Sequence, residues 1–326
     1  MNEQQLGEAF RALVAEQPFT PDGSSIAHRA RQARRHDRIV RGGIGVGVVA
    51  VAAVGAVGIA SAVPSAPVGK ARASGAHRVR TGASAAPSAS TDSQPPLVKL
   101  AADVAAEPRP VGDATLVERD TTLKGQAGVT VSDLYADDGR YFFSRTEAGL
   151  PAQVKEDDSQ ADGMFKREVD AATYALTGNL KTAALKMAWP QASPVPANLL
   201  AGAKTMAAGS EFVNFVWEDC QDALVAGSGN PQVRAGVLRL VSVLPGITII
   251  RGTLDGQPTL TLTAGLAELG GAGGAGGPTY QEAITINAQT GIPLKFTGGP
   301  AGGPADTTMT WKLTRVSLAN VAAGKL

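Results

Sequence analysis

The chain reads as an α+β protein. A single transmembrane helix precedes an outer domain in which helices cover a curved antiparallel sheet. Three observations lead there. Gly42 to Val63 carries no charged residue. A Pro/Ser/Ala-rich stretch follows from Pro64 to Pro96, and from Leu97 the pattern runs strands, then helices, then strands. That last order is the signature of an antiparallel sheet covered on one face rather than of alternating βαβ units.

From Ile44 to Val63 the run contains only Gly, Ala, Val, Ile and one Ser, long enough as a helix to cross a hydrocarbon core of roughly 30 Å. Small residues recur every four at Gly43 and Gly47 and at Ala52, Ala56 and Ala60, a spacing that allows close helix approach but also follows from Ala/Gly-rich composition alone. Ala60-Ser61-Ala62 has the form of a signal-peptidase site. The length of the run and the 41 residues of charge-bearing sequence before it favour an uncleaved span. Seven arginines precede the span (Arg11, Arg29, Arg31, Arg34, Arg35, Arg38 and Arg41) and four cations follow it (Lys70, Arg72, Arg78 and Arg80). This bias places the N-terminus in the cytoplasm and the C-terminal domain outside, at a cell membrane crossed once.

Residues 1–41 read as a cytoplasmic helical arm. Leu6, Phe10, Leu13 and Val14 form one apolar stripe, Pro18 and Pro21 interrupt, and a basic helix capped by Asp22, Ser24 or Ser25 runs on to the membrane. A piece this short buries no core alone, so its apolar face is weakly folded, packed on a cytoplasmic partner or laid on the lipid surface. Residues 64–96 read as a disordered linker that spans, as a coil, roughly 30 Å.

In the outer domain, residues 97–326, 19 Lys and Arg face 23 Asp and Glu. Leu97, Leu100, Ala101 and Val104 predict an opening helix. Strands are expected over Ala114–Thr122, Val129–Tyr135, Arg140–Thr146 and Ala152–Glu156, with Asp137-Asp138-Gly139 as a hairpin turn. Asp162–Trp189 is expected to be helical with a break at Gly178-Asn179. Ser210 caps a helix with Phe212, Phe215, Val216, Cys220 and Leu224 on one face, and Asn230-Pro231 opens another carrying Val233, Val237, Leu238, Val241 and Leu244. Strands return over Ile247–Leu254, Pro258–Thr263, Thr279–Ile286, Leu294–Thr297 and Thr308–Ser317.

The chemistry is narrowed by what is missing. All three histidines (His28, His36 and His77) precede residue 97, and Cys220 is the only cysteine. A Ser/His/Asp or Cys/His triad, a His-ligated metal and an internal disulfide are therefore excluded from the outer domain. Gly271 to Gly276 matches the letters of GxGxxG but lies between two strands, where the phosphate-binding mechanism has no helix to open, so it reads as a hairpin loop. Glu156, Asp157, Asp158 and Asp162, and Asp133, Asp137 and Asp138, lack the alternating spacing of a calcium loop. Cys220 sits among Glu218, Asp219 and Asp222, which hold a thiol protonated, and reads as a core residue. No enzyme, cofactor, metal or nucleic-acid partner is expected.

The basic arm, the Ala/Gly/Val-rich span and the Pro/Ser/Ala linker resemble the layout of membrane-anchored anti-sigma factors of high-GC actinobacteria. Pro231 to Thr248, Asp255-Gly256 and Ile284 to Leu294 are similar to an uncharacterised actinobacterial single-pass family found with extracytoplasmic-function sigma factors. The sheet-then-helices order is also similar to LolA-like lipoprotein carriers. The HxxxCxxC motif of the zinc anti-sigma factors is absent before the span. These resemblances imply an envelope signalling protein with a cytoplasmic regulatory partner, such as a sigma factor, or alternatively a membrane-tethered carrier of a lipid or other hydrophobic ligand. For the carrier, Phe212, Phe215 and Leu238 are the pocket candidates, because their helices must cover the sheet and small side chains fill a concavity incompletely.

Overall fold

The computed structural model describes residues 94–160, 163–189, 195, 197–208, 210–265 and 280–326. The arm, the span and nearly all of the linker, together with Asp162 and Gly271 to Gly276, lie outside the described residues. Among the described residues, no helix is long and apolar enough to cross a membrane.

In chain order the elements are α1 (Pro96–Ala105), β1 (Ala114–Leu123), β2 (Val129–Ala136), β3 (Tyr141–Ser144), α2 (Leu150–Glu156), α3 (Met164–Tyr174), α4 (Leu180–Ala188), α5 (Ala197–Thr205), α6 (Glu211–Ala226), α7 (Pro231–Val241), β4 (Thr248–Leu254), β5 (Gln257–Ala264), β6 (Tyr280–Asn287), β7 (Pro293–Pro300), β8 (Thr307–Val316) and α8 (Leu318–Ala322). The strands form one curved antiparallel sheet in the order β3-β2-β1-β8-β7-β6-β5-β4. Two meanders are thus joined where the first strand meets the last, with Ala114 paired to Val316 and Leu123 to Thr307.

Local chemistry accounts for most boundaries. Pro95-Pro96 opens α1, whose Leu97, Leu100, Ala101 and Val104 are all buried. The Ser210 hydroxyl accepts from the Val213 amide at 3.3 Å and the Asn230 side chain accepts from the Gln232 amide at 3.0 Å, capping α6 and α7. Gly139, at φ 98°, closes the β2–β3 turn. Asp255 and Gly256, both at positive φ (51° and 78°), form the two-residue β4–β5 turn. The flanks of the GxGxxG letters, β5 and β6, pair antiparallel as a hairpin.

The larger core joins α1 and α3–α7 to the inner face of β5 and β6 through residues such as Trp217, Phe215, Leu238, Leu262 and Ile284. The helices cross closely: a Cβ added to Gly236 of α7 would lie 1.8 Å from the Ala172 carbonyl oxygen of α3. Trp217 Nε1 and Gln221 Nε2 of α6 both donate to the Glu282 carboxylate on β6, at 3.1 and 3.2 Å, and so tie the helix layer to the sheet.

Two expectations are corrected. Ala152–Glu156 is not a strand but most of α2, because Pro151 sits in its first turn and Leu150 and Val154, four apart, share its buried side. The sheet is not covered on one face alone: at the β1–β3 end, α2 and α8 bury the outer face against Ala114, Leu116, Leu134 and Phe142. The strand expected over Arg140–Thr146 is shorter, and α5 and α8 are helices that the residue pattern did not announce.

Candidate ligand-binding site

Strand register gathers the site. Thr115 faces Tyr135 across β1 and β2, and Tyr135 faces Tyr141 across β2 and β3. On the inner side, the ring of Phe165 from α3 meets Tyr135 edge-on at 5.0 Å and Tyr141 at 5.2 Å. The two tyrosine rings lie 5.0 Å apart. Behind them Asp133, 1% exposed, accepts from Arg119 Nε at 2.8 Å and from the Tyr141 hydroxyl at 2.7 Å. Burial pushes the Tyr141 hydroxyl well above its ordinary pKa, and the Asp133 charge adds to it. Burial alone would lower the Arg119 value, but the charge and hydrogen bond of Asp133 outweigh it and hold the guanidinium charged.

A small cleft of about 50 Å³ opens over the rings of Tyr135 and Phe165. Its lining includes Arg109, Thr115, Tyr135, Asp137, Gly139, Arg140, Phe165, Lys166, Asp170 and Asn230. The rim is pre-organised by ion pairs. Arg315 clamps Asp137 with two bonds of 3.0 and 2.8 Å, donates to the Gly112 carbonyl at 2.6 Å, and is steadied by Thr115 Oγ1 at 3.0 Å. Arg109 reaches the same carboxylate at 2.7 Å while remaining half exposed. Arg140 bonds Asp138 at 2.9 Å and Asp157 at 2.7 Å, and its hydrogen bond holds the Asp138 carboxyl below the usual range. Lys166 pairs with Asp170, and Gly139 leaves room for it: a Cβ there would lie 2.7 Å from Lys166 Cδ. The lining offers fixed donors, carboxylates and ring surface, and it holds no Ser, Cys or His.

The acidic clusters found in the sequence are largely consumed here: Asp133, Asp137, Asp138 and Asp157 are all engaged by arginine. Cys220 is buried, and burial first, then Asp219 and Glu168, push its thiol well above the ordinary value. Phe212, Phe215 and Leu238 are 1%, 1% and 0% exposed within the larger core and do not line the cleft. Phe212 fills the space beside Gly202, where a Cβ would lie 2.5 Å from its own Cβ.

Among the described residues, one group has the spacing to hold a metal: Glu168 of α3 with Asp219 and Asp222 of α6, whose carboxylate oxygens lie within 4.8 Å of one another. Sequence reasoning missed Glu168. The available signal was its place on the buried side of α3 with Met164, Ala171 and Ala172. The cleft was missed as a whole, since Arg109 and Arg315 meet at Asp137 from opposite ends of the domain.

No family model, no curated protein and no solved structure matches this chain.

Proposed function

We propose that the chain is a single-pass membrane protein, not an enzyme, whose outer domain binds a compact polar ligand outside the cell and serves envelope signalling. The observation that carries the binding reading is the cleft itself, a floor of Tyr135 and Phe165 under a rim whose ion pairs fix Arg109, Arg140, Lys166 and Asp137. Rigid, charge-assisted donors beside a ring surface suit a small planar or zwitterionic molecule. The membrane reading draws support from the uncharged run of Gly42 to Val63 and the arginine bias before it. The regulatory reading draws on the basic arm of residues 1–41, with a sigma factor or similar cytoplasmic protein as its partner, and on the resemblance to sigma-associated single-pass proteins. The closed packing around Phe212, Phe215 and Leu238 supports a polar ligand over the acyl chain of a lipid carrier.

Thermal unfolding of the full chain against pools of amino acids, sugars, nucleosides and carboxylic acids tests the site. One pool should raise the midpoint in proportion to concentration, and Arg109→Ala and Phe165→Ala should each abolish that rise. A rise that survives both substitutions, or no rise with any pool, overturns the cleft as the binding site. Reporter fusions test placement separately: one after Leu326 should be active only outside the membrane and one before Ile44 only inside, and the reverse pattern overturns the orientation.

A further inference from the structure

The two edge strands differ in what meets their outward backbone groups. At β3, the Tyr141 carbonyl accepts from the Gln160 amide at 2.8 Å, the Tyr141 amide donates to Ser159 Oγ at 3.2 Å, and the Phe143 carbonyl accepts from Gln153 Nε2 at 2.8 Å. That edge is sealed by its own chain. At β4, the two-residue turn sets Leu254 against Gln257, and the ladder to β5 then runs through Thr248, Ile250, Gly252 and Leu254. The N–H and C=O groups of Ile249, Arg251 and Thr253 therefore point away from the sheet. Among the described residues, no group bonds to them.

Among the described residues, Arg251 is the one feature that blunts this edge. β4 has seven residues with no proline and no bulge, all of them exposed or half-buried, and Arg251 is its one charge. Ile250 stands on the outer face at 63% exposure. The strand is also self-complementary. A twofold axis at Ile250 makes that residue its own partner in a close, non-hydrogen-bonded pair, while Ile249 and Arg251 exchange backbone bonds with Arg251 and Ile249 of the other copy. An axis at Arg251 would set two guanidiniums directly opposite, which is unfavourable. An axis at Gly252 would leave nothing to pack at the centre of the seam. Axes at Ile249 and Thr253 keep only three residues of each strand in register, so overlap, charge and apolar contact together favour the axis at Ile250.

We propose that the β4 edge is a docking surface for the β4 edge of a second copy of this chain, antiparallel about a twofold axis at Ile250, joining two sheets into one. A seam of this size belongs to the small, weak class of interfaces, so the dimer forms with rising concentration.

Position-specific crosslinking of the full-length chain tests this. Thr248→Cys, Ile250→Cys and Gly252→Cys are introduced singly; wild type, whose sole thiol is the buried Cys220, is the background. In the proposed register the two copies of residue 250 lie about 4.5 Å apart at Cα, within disulfide reach. The two copies of residue 248 or 252 are offset by four residues, roughly 13 Å. Mild oxidation should therefore give a covalent dimer with Ile250→Cys and only background with the other two. Adding Arg251→Pro should abolish the crosslink while leaving the fold intact, because β5 does not use that N–H. No crosslink at 250, equal crosslinking at all three positions, crosslinking at 252 instead of 250, or a crosslink indifferent to Arg251→Pro would each overturn the proposal. None of these outcomes bears on the cleft.

Discussion

At the β3 end of the sheet, Leu116, Leu134 and Phe142 are buried on the outer face under α2 and α8, while Asp133 and Tyr135 face the helix layer on the inner side. At the β4 end the inner face is packed by Leu260, Leu262, Ile284 and Ile286, and among the described residues the outer face carries threonines such as Thr261 and Thr285, whose hydroxyls lie 3.1 Å apart. The sequence shows the difference in its period. Residues Ala114 to Val117 are buried without a break, whereas β6 alternates buried and half-buried positions from Glu282 to Asn287. A strand packed on both faces loses the two-residue alternation that marks a half-buried one. The same end that is covered twice also has its edge bonded and carries the cleft. At the other end, among the described residues, no group bonds the outward backbone of the edge strand.

The contrast is testable by substitution. Phe142→Ala should cost about 3–5 kcal/mol of stability by denaturant titration, because a wholly buried ring is removed from the outer core. A cost near zero would mean that α2 and α8 do not hold that face. Asp133→Ala should cost about 3 kcal/mol, since it strands the Arg119 guanidinium and the Tyr141 hydroxyl in a mostly buried setting.

Alkaline unfolding sharpens the comparison further. Tyr141 is held protonated above its ordinary value of 10.0. Its contribution is therefore complete below about pH 10 and is lost as the pH rises from there toward the folded-state value, because the unfolded chain releases the proton first. Cys220, raised above 9.0, adds a loss of the same sign that begins nearer pH 9. Tyr141→Phe should remove the steeper part of the decline and leave the earlier part. An unchanged profile would mean that burial does not hold the Tyr141 hydroxyl protonated. Smallest of all, Ile250→Ala should change the stability of the dilute protein by about 0.5 kcal/mol or less, as expected for an exposed side chain.

Much of this architecture was legible in the residues. Ser210, Asn230-Pro231 and Asp255-Gly256 mark their elements because capping and turn chemistry act within a few residues. The α2 segment was misread because five residues hold too little periodicity to separate a strand from a helix, and Pro151 was the better guide. The second covered face was hidden for a related reason: α2 and α8 are short helices whose apolar residues, Leu150, Val154 and Val321, acquire meaning only beside Phe142. The cleft is least legible of all. Its rim depends on Arg109, Asp137 and Arg315 converging through the pairing of β1 with β8, a contact that no local pattern encodes.

The claim that one edge of the sheet is sealed by its own chain and the other is open to a second strand is tested most directly by residue-resolved amide exchange over a concentration series of the full chain. The Tyr141 amide should be protected at every concentration, while the amides of Ile249, Arg251 and Thr253 should exchange freely when dilute and gain protection as concentration rises. Free exchange at Tyr141, or protection of Arg251 that is already present at the lowest concentration, would contradict the account.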